Sequence, residues 1–155
     1  MSNTILLKGR GIRKEAAAGG TITPGDLLNI DSTGKLIRHA SAAMRAAPLF
    51  AVESEGLNNE PQTAGGINND YVSGDFVQAE YLYCGCEVYA LVAASASAIV
   101  IGNMLESDGA GGLRLLTNFT DAEIDSIGGG AIAQALEAVD NSGGGARARI
   151  KVVIL

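Results

Sequence analysis

Side chains that could carry out chemistry are few in this 155-residue chain. Cys84 and Cys86 are one residue apart in a predicted strand, so alternation would place both thiols on the same face. Two sulfurs and His39, the single histidine, fall short of the four ligands of a structural zinc site. We interpret the cysteines as buried or half-buried free thiols, with pairing between chains as the alternative, and His39 as a surface or hydrogen-bonded residue.

The carboxylates also lack a catalytic arrangement. Glu53 and Glu55 share one face of a predicted strand, and like charges at this spacing resemble an acid/base pair only superficially. The glycine-rich tract that begins at Asp108 opens with a negative charge that would repel phosphate, and a weak calcium site is the alternative there. Nucleophile-elbow, phosphate-loop and zinc-protease motifs are absent from the sequence. The sequence therefore predicts a protein that is not an enzyme and that has no cofactor and no metal.

Composition narrows the class of protein. The 21 glycines are about twice the usual share of ~7%, tryptophan is absent, and aromatic residues make up 5%, which favours many turns and a core of small aliphatic side chains. A net charge of -6 argues against a nucleic-acid-binding surface. We find no apolar run long enough to span a bilayer and no secretory signal at the N-terminus, so we expect no membrane partner and synthesis in a cytoplasm.

The elements that would position these side chains are β-hairpins. The stretch Pro24–Arg38 recurs without a gap as Ile101–Leu115, and Gly74–Val77 repeats its Gly-Asp-apolar-apolar start. The residues that match are Gly25, Leu28, Asp31, Gly34 and Leu36 in the first copy and Gly102, Leu105, Asp108, Gly111 and Leu113 in the second. Glycine and aspartate at such turns flanked by apolar residues predict two hairpins of the same design.

Other segments complete an all-β prediction. The residues Ala131–Val139 have helical propensity but lie between two turns, and we interpret them as a strand. The final strand, Arg147–Leu155, alternates basic and apolar residues, which predicts one buried and one positively charged face. Short helices are predicted at His39–Ala47 and, after a capping box, at Asp121–Ile127. The polar stretch Glu55–Asp70 is predicted to be a long surface loop.

The N-terminus is apolar and then basic. Four of the eleven basic residues fall within the first fourteen positions, and Ala16–Gly20 then breaks the pattern. We predict an extended N-terminal arm and linker over residues 1–20 that adds a strand to a partner's sheet edge, followed by a single β-rich domain over residues 21–155. An ordinary first strand of the domain is the alternative. The predicted fold is a compact β-barrel or sandwich of hairpins with this arm and one or two short helices.

Charge is sorted along the chain. Between Arg45 and Arg114 there is no lysine or arginine, whereas both ends of the chain are basic. If the termini lie together, the molecule has a positively charged end and a negatively charged opposite end. This polarity would orient it on an acidic surface. Mixing of the two signs after folding is the alternative.

The order of these segments resembles the head decoration, or capsid cement, proteins of tailed bacteriophages. The resemblance covers nearly the whole chain and rests on the order and spacing of five stretches: GDLLNIDSTGKLIRH, PLFAVESEG, YVSGDFVQAEYLYCGCEVYALV, IGNMLESDGAGGLRLL and AIAQALEAVDNSGGGARARIKVVIL. The Cys84–Glu87 stretch departs from the proline-glycine-acid turn expected there. The resemblance implies an all-β virion protein on the outside of the phage head that binds the major capsid protein and forms homo-oligomers, commonly trimers.

Such a protein would bridge capsid subunits against the pressure of packaged DNA and would need surface area rather than reactive groups. In that role we expect the N-terminal arm to pair with a capsid strand, with its basic residues on acidic loops. The predicted capsid-contact residues are Thr4, Ile5, Leu6, Leu7, Lys8, Arg10 and Arg13. The alternatives are another virion component, such as a tail or head-fibre protein, and a secreted β-sandwich binding module.

Overall fold

The computed structural model describes residues 4–54, 66–117 and 130–155, and within these ranges the chain is built almost wholly from strands. The strands are β1 Leu6–Lys8, β2 Gly11–Ala17, β3 Leu28–Ile30, β4 Leu36–Arg38, β5 Leu49–Ala51, β6 Phe76–Leu82, β7 Glu87–Val92, β8 Met104–Ser107, β9 Leu113–Leu115, β10 Ala133–Ala135 and β11 Ala148–Ile154. A 3-10 turn, Gly66–Asn68, is the one helical element of the described ranges. No helix in these ranges is long and apolar enough to cross a membrane.

Five strands close into a barrel in the order β7, β11, β10, β8 and β9. Neighbouring strands are antiparallel except at the closure, where β9 runs parallel to β7 and Leu113 lies opposite Val92. The other end of β7 pairs with β1, where Leu6 lies opposite Val88. Strand β11 occupies one edge of β7. The other edge of β7 is shared by β1 and β9, which together complete the barrel wall. The predicted all-β barrel is confirmed.

The barrel interior is filled by small aliphatic side chains and one large aromatic. Along β11, Ile150, Val152 and Ile154 are at most 1% exposed, whereas Lys151 between them is exposed. Phe50 is fully buried in the same cluster. Burial of each such side chain contributes about 1.5–3 kcal/mol relative to leaving it in water. The predicted alternation of the final strand is confirmed for its buried face.

A second layer packs beside the barrel. Strands β2, β6 and β5 form a three-stranded sheet, and β3 and β4 form a separate hairpin. Phe50 belongs to the barrel core, whereas its neighbours Leu49 and Ala51 belong to a second core with Leu28 and Leu36 of the hairpin. Because side chains alternate along β5, this one strand joins the barrel on one side to the hairpin on the other.

The two repeated stretches form hairpins of the same design. Strand β3 pairs antiparallel with β4, and β8 pairs antiparallel with β9. The carboxylate of Asp31 accepts backbone N–H bonds from the residues two and four positions later, at 2.7 and 3.0 Å. Asp108 does the same at 2.6 and 2.8 Å. The predicted hairpins are confirmed, and the aspartates recur because each holds its own turn.

A four-residue turn is also repeated before four of the strands. Its third residue is a glycine whose φ is 95° at Gly25, 95° at Gly74, 91° at Gly85 and 89° at Gly102, values that residues with a side chain rarely adopt. In each turn the N–H of the fourth residue donates to the carbonyl of the first, at 2.9 to 3.1 Å. This is the geometry of a type II turn, which explains the spacing of the glycines.

Two predicted helices have different outcomes. His39–Ala47 contains no helix, because its backbone is bonded to the two hairpins: the His39 N–H donates to Leu27 and the Ala43 N–H donates to Ser107. Tertiary hydrogen bonds therefore override the alanine-rich propensity. The segment Asp121–Ile127 lies outside the described residues.

The strand predicted within Ala131–Val139 is confirmed as β10. Of the predicted loop Glu55–Asp70, only residues 66–70 are described, and they include the 3-10 turn with Ile67 buried at 2% exposure.

Candidate interaction surface

The two cysteines do not share a strand face. They lie on either side of Gly85 in the turn between β6 and β7, with Cys84 exposed and Cys86 buried. The prediction of one common face is wrong because the chain reverses direction between them. Within the chain both thiols are free. The prediction of a buried or half-buried thiol is confirmed for Cys86 and is wrong for Cys84, which is exposed, and pairing between chains stays the alternative. The Cys86 thiol donates to the carbonyl of Arg10 at 3.4 Å. Cys86 therefore helps to hold the N-terminal segment against the barrel.

Glu53 and His39 serve the fold. Glu53 accepts the backbone N–H of Ile5 at 3.0 Å and so holds the start of the chain in place, while Glu55 lies outside the described residues. His39 is 5% exposed, and its Nδ1 lies 2.7 Å from the Oγ of Ser107. Burial lowers the pKa of His39 below its ordinary value, so the ring is neutral at pH 7. His39 is thus a hydrogen-bonded residue, one of the two roles predicted for it.

Asp108 is committed to its own turn through one carboxylate oxygen. Across residues 4–54, 66–117 and 130–155, no three histidine, cysteine, aspartate or glutamate side chains come together in a way that could hold a metal ion. The calcium alternative at Asp108 therefore gains no geometric support.

The predicted capsid-contact residues are divided between core and surface. Ile5 is fully buried in the barrel core, so its side chain faces the interior, and its pairing with a capsid strand stays a prediction about its backbone. Leu6 and Leu7 are half-buried. The exposed members are Thr4, Lys8, Arg10 and Arg13.

The N-terminal segment as a whole belongs to the domain. Strand β1 pairs with β7 and β2 pairs with β6, so the boundary predicted at residue 20 falls within one hydrogen-bonded structure. The alternative, an ordinary first strand, describes these residues better than a separate extended arm. Capsid contact by the exposed members stays a prediction.

A row of outward side chains crosses five strands and brings Lys8 into a larger surface. The row has one residue from each strand, and neighbouring members are opposite each other in register. Its members are Met104 of β8, Gln134 of β10, Val153 of β11, Glu87 of β7 and Lys8 of β1. The Lys8 ammonium forms an ion pair with Glu87 at 2.8 Å, with the lysine side chain 72% exposed. The row is therefore polar at its β1 end and apolar at its β8 end.

Further apolar side chains extend the β8 end of this row. Leu136 and Leu155 lie just beyond the ends of β10 and β11 and are 37% and 48% exposed, and Met104 is 40% exposed. We call Met104, Leu136, Val153 and Leu155 the apolar barrel face. In the row Gln134 lies between Met104 and Val153, so the face is apolar around one polar side chain. A group of exposed apolar side chains commonly marks a site of protein contact.

The apolar barrel face was not predicted from the sequence, although the alternation of apolar and polar residues indicates which side chains face outward. Met104 precedes the buried Leu105, and Gln134 lies between the buried Ala133 and Ala135, which marks Met104 and Gln134 as outward-facing. Their closeness to one another depends on the pairing of β8 with β10, which the sequence does not state.

A buried ion cluster joins the first hairpin to β11. Asp26 is 0% exposed and its carboxylate accepts from the Arg38 Nε at 2.7 Å, the Thr23 N–H at 2.7 Å and the Arg147 guanidinium. Burial raises the pKa of Asp26 above its ordinary value, and the Arg147 charge, the Thr23 amide and Arg38 oppose that rise. The cluster fixes the hairpin over the barrel.

Arg149 has a similar structural role. Its guanidinium donates to the carbonyls of Pro24 and Ile67 and lies 5.8 Å from the centre of the Tyr89 ring. Burial lowers the pKa of Arg149 from its ordinary value. Both Arg147 and Arg149 donate hydrogen bonds to groups within the fold. The C-terminal strand therefore contributes less free positive charge than the predicted positively charged end of the molecule requires.

These features define a small β-barrel domain with an attached sheet, with buried carboxylates paired to arginines within the fold and an exposed apolar face. No protein-family model and no curated protein match the chain. Among solved structures, it is similar to the crystal structure of the N base of the head fibre protein gp8.5 of bacteriophage phi29. That likeness covers 94% of this chain and 95% of the other, with a TM-score of 0.52 and 15% sequence identity, and it shows a shared fold.

Proposed function

We propose that this protein is a structural component of a tailed-phage virion that decorates the outer surface of the head. In this role it binds the major capsid protein across subunit junctions, as a homo-oligomer, and stabilises the shell against internal DNA pressure. The observation that carries the proposal is the likeness to a phage head fibre base along almost the whole chain, in agreement with the resemblance of the sequence to decoration proteins.

The arrangement of side chains supports a binding role over a catalytic one. The buried ionic groups, Asp26 and Glu106, are bonded to arginines within the fold. The surface offers instead the apolar barrel face and, at the other end of the same row, the exposed Lys8. Capsid attachment through an apolar centre with a polar rim would follow the usual anatomy of protein interfaces.

A head-fibre component is the second candidate function. It is favoured by the same structural likeness, because the similar protein is itself a head fibre base. The two functions differ in where the protein lies on the particle and in how many copies are present, whereas both require attachment to the head.

The attachment surface can be tested by binding to phage shells that lack this protein. We expect Met104→Lys to weaken binding strongly, because it places a charge within the apolar barrel face. Val72→Lys is the matched control, since Val72 is 58% exposed but lies in the turn before β6, a strand of the three-stranded sheet and not of the barrel. Co-sedimentation with shells would measure the bound fraction, and equal loss in both variants, or loss in neither, would count against this surface.

A further inference from the structure

Strand β2 has the longest open edge among the described strands. It pairs with β6 over all seven residues, and no described strand pairs along its other side between Gly11 and Ala17. The barrel is closed, and the outer edge of β5 is bonded to the first hairpin through Gly25 and Ala51. An open edge of this length is a template for pairing with another strand.

The direction of the backbone groups on this edge follows from the bonds at its end. The Ala18 N–H donates to Asp75 beside β6, at 2.7 Å, whereas the Gly19 N–H donates to Leu36 on the opposite side, at 2.8 Å. Backbone groups alternate along a strand, so the even-numbered residues of β2 bond to β6. The odd-numbered residues, such as Glu15 and Ala17, therefore direct their N–H and C=O groups outward.

We propose that the β2 edges of two copies pair antiparallel about a two-fold axis at Lys14. Only a register that places odd-numbered residues opposite odd-numbered residues can form this ladder. The register centred on Lys14 uses all seven residues and places Arg13 of each copy opposite Glu15 of the other. The neighbouring register, centred on Glu15, also has one like-charged pair on the axis, but it lacks the two pairs of opposite charge.

Side chains on this edge support a second copy as the occupant. Within one chain, Arg13 Nη1 and Glu15 Oε1 are 4.0 Å apart, and their side chains are 41% and 44% exposed, so both can reach across the edge. Ile12 is 58% exposed and would lie against Ala16 of the second copy, which removes apolar surface from water. The opposed Lys14 pair is the one unfavourable contact of the register.

This inference is independent of the phage role, because it concerns the purified chain alone. The test uses cysteine cross-linking in a Cys84→Ser background, which removes the exposed native thiol. In the proposed register Lys14 lies opposite its own copy as a non-hydrogen-bonded pair, with Cα atoms about 4.5 Å apart, a separation that a disulfide can bridge. We therefore expect Lys14→Cys to form a covalent dimer on mild oxidation. Ile12→Cys is the matched control and should stay uncross-linked, since it faces Ala16.

Charge reversal supplies a second measurement by light scattering coupled to gel filtration. The protein with its native charges should form a dimer, and Arg13→Glu alone or Glu15→Arg alone should weaken association about tenfold, since each creates two like-charge pairs. The double variant should recover the dimer, and circular dichroism would confirm that every variant is folded. A native monomer or trimer would overturn the proposal, because a two-fold contact closes at two copies. Equal cross-linking at positions 12 and 14 would also overturn it.

Discussion

Asp26→Asn should destabilise the protein more than any other change of a single carboxylate to its amide in the described chain. The substitution removes a fully buried negative charge and leaves two guanidiniums, Arg38 and Arg147, facing a neutral amide. It also turns an acceptor-only group, which takes the Thr23 N–H at 2.7 Å, into one that presents an N–H of its own.

The magnitude follows from burial. Removing one partner of a buried pair costs about 3–5 kcal/mol. The arginine side chains are 33% and 20% exposed, so water can solvate them in part, and the burial that raises the pKa of Asp26 already offsets part of the attraction. We therefore expect the lower end, about 3 kcal/mol. For a chain of this size that corresponds to a melting temperature lower by about 6–12 °C.

The matched control is Asp75→Asn. Asp75 occupies the same turn position as Asp26 and accepts the Val72 N–H at 2.8 Å, and the corresponding turn at Asn103 already uses an amide oxygen in that way, at 2.9 Å. We expect a change below about 0.5 kcal/mol in the control. Urea unfolding followed by circular dichroism measures both variants, and equal losses would refute the account of Asp26 as the ionic link between hairpin and barrel.

Two further predictions concern stability. Burial raises the pKa of Tyr71 from 10.0 to about 12, and its hydroxyl donates to the Val52 carbonyl at 2.7 Å, so the stability it contributes is present below pH 10 and is lost as the pH rises toward 12. Between pH 9 and pH 11.5, urea unfolding should show a loss of up to about 2 kcal/mol that Tyr71→Phe abolishes, and an unchanged loss in that variant would contradict the assignment. Ile5→Ala should lower the free energy of unfolding by about 2–5 kcal/mol in the same assay, because it leaves a cavity in the core. Leu7→Ala, at a half-buried position, should lower it by less. Equal losses would mean that the N-terminal segment does not pack against the barrel as described.

The hairpins were predictable from the sequence because their signals are local. Glycines at positive φ and aspartates that bond to their own turns, such as Asp31 and Asp108, need only neighbours within four positions. The same holds for β11, where buried and outward-facing side chains alternate. The Ile-x-Val-x-Ile pattern of Ile150–Ile154 indicates this alternation directly.

The N-terminal strand and the interaction surface were not predictable because they depend on distant pairings. Lys8 pairs with Glu87, and Met104 lies beside Gln134, and neither contact has a local signal. The buried role of Asp26 likewise depends on Arg147, which is 121 positions away. Predictions failed where long-range contacts decide the environment of a residue whose local pattern is ordinary.

The most direct test of the proposed function is the number of copies of this protein in purified phage particles, measured by quantitative mass spectrometry against the major capsid protein. A head decoration protein is predicted to be present in numbers comparable to the major capsid protein. A small number of copies per particle would contradict decoration and favour the head-fibre alternative, and absence from the particle would contradict a virion role altogether.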